Sequence, residues 1–103
     1  MTVELVQGWT ERINDTLESD GVIVNLTGMT VQLFLYDKRN NPVTYAGTVG
    51  IETANIGLVY FDPASADLLA SRSPYHARWK VTAAGQVASF PSGRVNVWYV
   101  RNP

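Results

Sequence analysis

The stretch VIVNLTGMTVQLFLYD, which runs from Val22 to Asp37, contains two apolar runs around a single small turn. In the second run every other side chain is aliphatic, a period of two that predicts an extended β-strand with one buried face. The opposite face of this strand carries Phe34 and Tyr36, so it is apolar as well. We therefore expect that second face to be partly covered or to lie at an interface.

The same period of two recurs in residues 74–83. The apolar positions of this segment alternate with polar ones, and they are Tyr75, Ala77, Trp79 and Val81. The pattern predicts a half-buried strand with its polar side towards water and with Trp79 as the core tryptophan. His76, the only histidine of the chain, falls on the polar side.

Two further segments alternate less clearly. In residues 94–100 the pattern favours an inward face made of Val95, Val97 and Tyr99, which leaves Trp98 on the other face. In residues 9–17 we expect a bend or bulge to bring Ile13 and Leu17 to one face.

Turn signals divide these strands. Asp20-Gly21 and Ala84-Gly85 are typical of hairpin tips, and Pro91-Ser92-Gly93 separates the last two strands. Residues 62–70 begin with an Asp suited to an N-cap and a Pro suited to the first helical position, which predicts one short helix or a 3₁₀ turn. The pattern as a whole predicts an antiparallel β-sandwich of about seven or eight strands, with a barrel of about five or six strands as the alternative.

Composition narrows the class of protein. The 103 residues predict a single domain over residues 1–103, with residues 1–8 as a candidate flexible arm. The 8 basic and 9 acidic residues give a net charge of −1, which predicts no nucleic-acid or membrane partner. The chain begins without a signal-peptide pattern and contains no apolar run of membrane-spanning length, so we expect it to be made inside the cell and kept there or packaged from there.

No motif for catalysis stands out. One histidine and no cysteine argue against a metal site, and no Gly-rich phosphate loop is present, so we expect no cofactor. Asp15, Glu18 and Asp20 lack the remaining residues of a calcium loop, and turn-forming or solubilising roles suit them better. His76 is interpreted as a surface histidine, and the sequence predicts a protein that is not an enzyme.

The aromatic residues are the remaining candidates for function. A small sandwich cannot bury three Trp, five Tyr and three Phe side chains completely. Trp and Tyr are enriched at protein interfaces, and the candidate interface residues are Trp9, Phe34, Tyr36 and Trp98. The alternative is a module that binds a carbohydrate or another small ligand, for which Trp9, Trp98 and Tyr99 would form one exposed strip.

Several short motifs follow one another in an order that resembles a known family. They are Asp20-Gly21, NLTGMTVQL at residues 25–33, GLVYF at residues 57–61, YHARWKV at residues 75–81 and VASFPSG at residues 87–93. In this order they resemble the immunoglobulin-like domain at the N-terminus of tailed-phage baseplate upper proteins. The resemblance covers residues from about 10 to about 100, and Asn25 stands where the family usually has an aspartate.

The resemblance implies an immunoglobulin-like sandwich and a non-enzymatic structural role in a phage virion, assembled in the host cytoplasm. The family's longer stem does not follow residue 103, so attachment to other virion proteins is implied rather than bridging to receptor-binding proteins. The attachment point would be the tail or baseplate, the neck or the capsid surface. We expect the chain to self-associate, and Thr2–Val6 could add a strand to a neighbour's sheet.

Overall fold

The computed structural model describes residues 2–19, 21–83, 86–90 and 96–102. The strands in these ranges are β1 (Thr2–Val6), β2 (Ile13–Thr16), β3 (Glu18–Ser19), β4 (Val22–Ile23), β5 (Thr30–Tyr36), β6 (Pro42–Val43), β7 (Thr48–Thr53), β8 (Leu58–Asp62), β9 (Tyr75–Ala83), β10 (Gln86–Phe90) and β11 (Asn96–Arg101). Three of these eleven strands, β3, β4 and β6, have only two residues each. Eight longer strands remain, in agreement with the predicted number.

The strands form two main sheets, and the fold is an all-β sandwich. A six-stranded sheet has the order β1-β11-β9-β5-β6, with β10 also paired to β9, and a three-stranded sheet has the order β2-β8-β7. The short pair β3-β4 forms a separate hairpin around Gly21, as predicted. Because the hydrogen-bonded strands of the described residues separate into distinct sheets, they do not form the alternative barrel. The tips Ala84-Gly85 and Pro91-Ser92-Gly93, together with Asp20, lie outside the described residues.

The expected N-terminal arm is folded onto its own chain. Strand β1 pairs in parallel with β11, with Thr2 opposite Val97 and Val6 opposite Arg101. Leu5 of β1 is buried in the core. A tight turn follows, in which the Trp9 N–H donates to the Val6 carbonyl oxygen at 3.0 Å.

The core lies between the two sheets and depends on large side chains. Trp79, Trp98, Tyr75 and Phe61 are all fully buried, and the rings of Phe61 and Trp98 stack with centroids 5.9 Å apart. Trp79 is the core tryptophan that the sequence predicts. Its indole Nε1 donates a 3.0 Å hydrogen bond to a carboxylate oxygen of Asp15 on β2, so it joins the two sheets through a polar contact as well.

The predicted inward face of β11 is wrong, and the one expected for Ile13 and Leu17 is confirmed. In β11 the buried residues are Trp98 and Val100, whereas Tyr99 is exposed, because the inward side of β11 packs with β1 and against Phe61. Ile13 and Leu17 are both buried, as the expected shared face requires, and β2 ends at Thr16, just before Leu17.

Residues 62–70 do not form the predicted α-helix. Asp62 ends β8, and both of its carboxylate oxygens accept hydrogen bonds from Arg12 instead of capping a helix. The turn that follows is organised by Asp67, whose buried carboxylate accepts three backbone N–H groups at 2.8 Å. A 3₁₀ turn, the other form anticipated, occurs at Ala70–Arg72.

Candidate interaction surface

Strands β5 and β9 lie side by side in the six-stranded sheet, and their register fixes the neighbours on its outer face. Tyr36 lies opposite His76, Phe34 opposite Arg78 and Gln32 opposite Lys80. The residues between them along each strand are buried, so these six alternate outward. We call this set the β5–β9 face: Gln32, Phe34, Tyr36, His76, Arg78 and Lys80.

The β5–β9 face combines aromatic rings with cations that lack acidic partners. Phe34 is 39% exposed, and the Lys80 ammonium lies 5.7 Å from the centre of its ring. Across the described part of the chain, neither Arg78 nor Lys80 makes an ion pair. This face therefore offers apolar area and positive charge that are free to contact a partner.

The loop after β5 is fixed at one end of this face. One carboxylate oxygen of Asp37 accepts the backbone N–H of Arg39 at 2.9 Å and that of Asn41 at 3.0 Å. The hydrogen bond from Asn41 is the main reason that the pKa of Asp37 is lowered. Between these two anchors, Asn40 adopts a left-handed conformation with φ of 64°, which Asn tolerates better than most residues.

An open groove of about 410 Å³ lies where this loop meets the β5–β9 face. It is lined by Tyr36, Asn40, His76 and Arg78. The lining offers a phenol, an amide, an imidazole and a guanidinium, all of which can donate hydrogen bonds. Such a set suits an acceptor group, and the guanidinium suits an anionic one.

More positive charge lies beside the groove. The Lys38 N–H donates to the Arg72 carbonyl oxygen at 3.0 Å, which brings the 3₁₀ turn next to the loop. Five of the eight Lys and Arg residues of the chain thus lie on or beside this face, and we call them the basic stripe: Lys38, Arg39, Arg72, Arg78 and Lys80. Asp37 supplies the only carboxylate on β5, on β9 and in residues 37–41.

The outer face of the three-stranded sheet is built in the opposite way. The Arg12 guanidinium binds both carboxylate oxygens of Asp62 at 2.8 Å and one oxygen of Glu52 at 2.9 Å. It also lies 3.9 Å from the ring centre of Tyr60, and Asn14 donates to Glu52 at 3.2 Å. We call these five residues the Arg12 network.

Charges in the Arg12 network stabilise one another. The hydrogen bonds from Arg12 lower the pKa of Asp62, and those from Arg12 and then Asn14 lower the pKa of Glu52. The same contacts, with Asp62 first, raise the pKa of Arg12. The charged groups of the Arg12 network are thus paired within the chain.

The four predicted interface residues do not form one surface. Phe34 and Tyr36 share the β5–β9 face, as the period of two requires. Trp9 is only partly exposed, packs against the core and donates from Nε1 to the Glu11 carbonyl oxygen at 3.0 Å. Trp98 is 0% exposed, so its assignment to a surface is wrong for the folded chain. Its Nε1 has no hydrogen-bond acceptor among the described residues.

The predicted carbohydrate-binding strip is also absent. It requires the rings of Trp9, Trp98 and Tyr99 to be exposed together, and Trp98 is covered by the sandwich. Tyr99 is exposed on the outer side of β11, and Trp9 lies in the connection between β1 and β2. These three residues therefore do not form one exposed platform for a sugar.

The sequence did not single out the basic stripe. Its members come from residues 38–39, from residue 72 and from β9, and only the folded topology brings these segments together. The alternation of residues 74–83 does place Arg78 and Lys80 on one face. The net charge of −1, however, is a sum over the whole chain and does not reveal a local excess of basic residues.

Other classes of site find no support in the described residues. No group of three or more His, Asp or Glu side chains among them could hold a metal ion. No helix within the described ranges is long and apolar enough to cross a membrane. Comparisons with protein-family models, with curated proteins and with solved structures find no match to this chain.

Proposed function

We propose that this chain is a non-enzymatic structural module of a tailed-phage virion, an immunoglobulin-like sandwich that docks on other virion proteins through its β5–β9 face. The observation that carries the docking role is the contrast between the two outer faces. Arg78 and Lys80 have no acidic partner among the described residues and lie beside an exposed Phe34, whereas the charged groups of the Arg12 network pair with one another. The virion context comes from the sequence motifs of residues 20–93.

The composition of the β5–β9 face supports a protein partner. Arg, Tyr and Phe are enriched in protein interfaces, and truncation of one well-packed anchor typically costs about 2 kcal/mol or more of binding free energy. Phe34 and Tyr36 lie two residues apart on a regular strand, so one flat partner surface can contact both.

The surroundings of His76 support a role without catalysis. A catalytic imidazole needs a nucleophile and an orienting carboxylate within hydrogen-bond reach. Along β9, on its neighbour β5 and in residues 37–41, the only carboxylate is that of Asp37, whose bonded oxygen accepts the backbone N–H groups of its own loop. His76 instead lines an open groove beside Arg78.

The first experiment asks whether the chain belongs to a particle. Particles of the encoding phage are purified and assayed for peptides of this chain, and particles assembled without the chain are then mixed with the recombinant protein and sedimented. We expect the chain in a fixed ratio to the other virion proteins and saturable binding to the deficient particles. Absence from the particles together with no binding would refute the proposal.

A second measurement addresses self-association. The mass of the purified chain is measured by light scattering over a concentration series. A stable trimer, pentamer or hexamer would support a symmetric position in the virion, because virion parts repeat around such axes. A monomer at every concentration would restrict the docking role to partners of a different sequence.

A further inference from the structure

The basic stripe concentrates positive charge that the acidic residues around it do not balance. The chain as a whole has a net charge of −1, yet five of its eight basic residues are gathered here with a single carboxylate. That carboxylate, on Asp37, holds the backbone of its own loop and lies at one end of the stripe. Concentrating like charges costs free energy through mutual repulsion, which a partner of opposite charge relieves.

The groove gives this charge a specific point of contact. The Arg78 guanidinium has five N–H donors and makes no hydrogen bond or ion pair with the described residues. A carboxylate can accept two parallel hydrogen bonds from such a group, which fixes its orientation. Tyr36, Asn40 and His76 line the same groove and can donate to the remaining lone pairs.

The loop that completes the groove is held in place before any partner arrives. Asp37 fixes it through two backbone N–H groups, and the Asn40 N–H donates to the Asp37 carbonyl oxygen at 2.9 Å. The Asp37 N–H in turn donates to the Asn41 carbonyl oxygen at 2.9 Å. A loop already ordered in this way loses little conformational entropy when it binds, so Lys38 and Arg39 are presented at low cost.

We propose that the basic stripe docks a carboxylate-rich surface of the partner protein and that one partner carboxylate enters the groove and pairs with Arg78. This inference rests on the proposed docking function and names the chemistry of its partner. A protein surface fits better than a small ligand, because only Arg78 of the five basic-stripe residues lines the groove, and the other four need a wider contact. Nucleic acid phosphates also bind such cations, and the oligothymidine probe described below distinguishes them from a protein surface.

The test uses defined probes in place of the unknown partner. Binding is measured by fluorescence anisotropy, at low and at raised salt, for a labelled peptide that alternates Glu with Ser and for the matching peptide that alternates Gln with Ser. We expect only the Glu peptide to bind, and we expect its binding to weaken at raised salt. No binding of the Glu peptide at low salt, or equal binding of the Gln peptide, would overturn the inference.

A matched pair of variants locates the contact. Arg78→Gln and Arg101→Gln remove the same charge from exposed strand positions, but Arg101 lies outside the stripe and pairs with Glu4 at 2.8 Å. We expect Arg78→Gln to lower the affinity for the Glu peptide by about tenfold or more. Arg101→Gln should lower it by about twofold at most. Equal effects of the two variants would show that only net charge matters and would overturn the site at Arg78.

Two further probes decide between classes of partner. A single-stranded oligothymidine and an oligosaccharide that contains glucuronate are measured under the same conditions. Tighter binding of either probe than of the Glu peptide would overturn the assignment to a protein and would identify a nucleic acid or an acidic glycan instead.

The particle assay separates this inference from the proposed function. If the unchanged protein and Arg78→Gln bind deficient particles equally tightly, the proposed docking is supported. The proposed contact between Arg78 and a partner carboxylate is then refuted. If the unchanged protein does not bind the particles but binds the Glu peptide, the virion function fails while the acidic contact stands. Loss of particle binding by Arg78→Gln but not by Arg101→Gln supports both.

Discussion

The outer faces of the two sheets use similar side chains in opposite ways. On the three-stranded sheet, Arg12 stacks on Tyr60 and is bound by two carboxylates of its own chain. On the six-stranded sheet, Lys80 lies near the Phe34 ring, and no carboxylate of the described residues pairs with it or with Arg78. The first face pairs its charges within the chain, whereas the cations of the second have no acidic partner among the described residues.

This difference teaches that exposed charge alone does not mark an interaction surface. The Arg12 side chain is 42% exposed and would count as available by exposure, yet three of its five N–H donors already bind carboxylates of the chain. What distinguishes the β5–β9 face is that its cations have been left without acidic partners on neighbouring strands. Substitutions in the Arg12 network and on the β5–β9 face test this difference between the two faces.

The largest expected effect comes from breaking the Arg12 network at Gly50. A Cβ atom at this position would lie 2.7 to 2.9 Å from the phenol end of the Tyr60 ring, which covers Gly50 from the neighbouring strand. Gly50→Val should force the ring away from Arg12 and lower the free energy of unfolding by about 1–3 kcal/mol. Urea unfolding followed by tryptophan fluorescence measures this change.

Thr48→Val is the matched control for Gly50→Val. Thr48 occupies the same strand and the same outer face, two residues away, and lies opposite Asp62 rather than under a ring. We expect its free energy of unfolding to change by about 0.5 kcal/mol at most. Equal stability of the two variants would mean that the Tyr60 ring moves aside without loss.

A crossed pair of truncations separates stability from docking. Phe34→Ala should change the free energy of unfolding by less than about 1 kcal/mol but weaken binding to deficient particles by about tenfold or more. Tyr60→Ala should lower the free energy of unfolding but leave particle binding unchanged, because its ring supports Arg12 and Gly50 and lies outside the β5–β9 face. If Tyr60→Ala weakened particle binding and Phe34→Ala did not, the face with the Arg12 network would be the docking surface instead of the β5–β9 face.

Acid should weaken the Arg12 network. Because Arg12 holds the pKa values of Asp62 and Glu52 below their ordinary 3.8 and 4.5, the folded state binds fewer protons than the unfolded state in this range. Their stabilisation is therefore complete above the ordinary values and is lost as the pH falls through the lowered ones.

Arg12→Met tests this pH dependence, since it should let both pKa values return towards normal. We expect the fall in the thermal unfolding midpoint between about pH 6 and about pH 3 to be smaller in Arg12→Met than in the unchanged protein. Arg101→Met, which removes the more exposed pair with Glu4, serves as the control. A fall as large in Arg12→Met as in the unchanged protein would place the acid sensitivity elsewhere.

The smallest effect is expected at Asn40. Asn40→Gly keeps a residue that adopts its left-handed conformation easily, so the free energy of unfolding should stay within about 0.5 kcal/mol. The variant removes one amide from the groove and should lower the affinity for the Glu peptide by about twofold to fivefold. Unchanged peptide binding would remove Asn40 from the contact while leaving Arg78 in it.

Regular alternation made some of this fold predictable. In β9 the four predicted inward residues, Tyr75, Ala77, Trp79 and Val81, are buried, because the two sides of this strand differ sharply in polarity. In β11 both sides contain aromatic and polar residues, and the presence of β1 and the stacking with Phe61 select the side with Trp98. The choice depends on contacts with residues far away in sequence, which a local pattern does not contain.

Two aspartates show why capping and surface roles were assigned incorrectly. Asp15 looks like a solubilising residue in sequence, yet it is buried beside Trp79 because the strand places it between Ile13 and Leu17 on the inward side. Asp62 looks like a helix cap before a proline, yet Arg12, 50 residues away in sequence, binds its carboxylate. In both cases a partner from another strand decides the role.

The parallel pairing of β1 with β11 also determines how the domain resists mechanical force. The two strands run in the same direction, so tension applied before Thr2 and after Arg101 pulls them in opposite directions along their common axis. Their hydrogen bonds are then loaded together in shear rather than opened one after another. A chain stretched between its ends would have to slide the whole of β1 past β11 before the sandwich could extend.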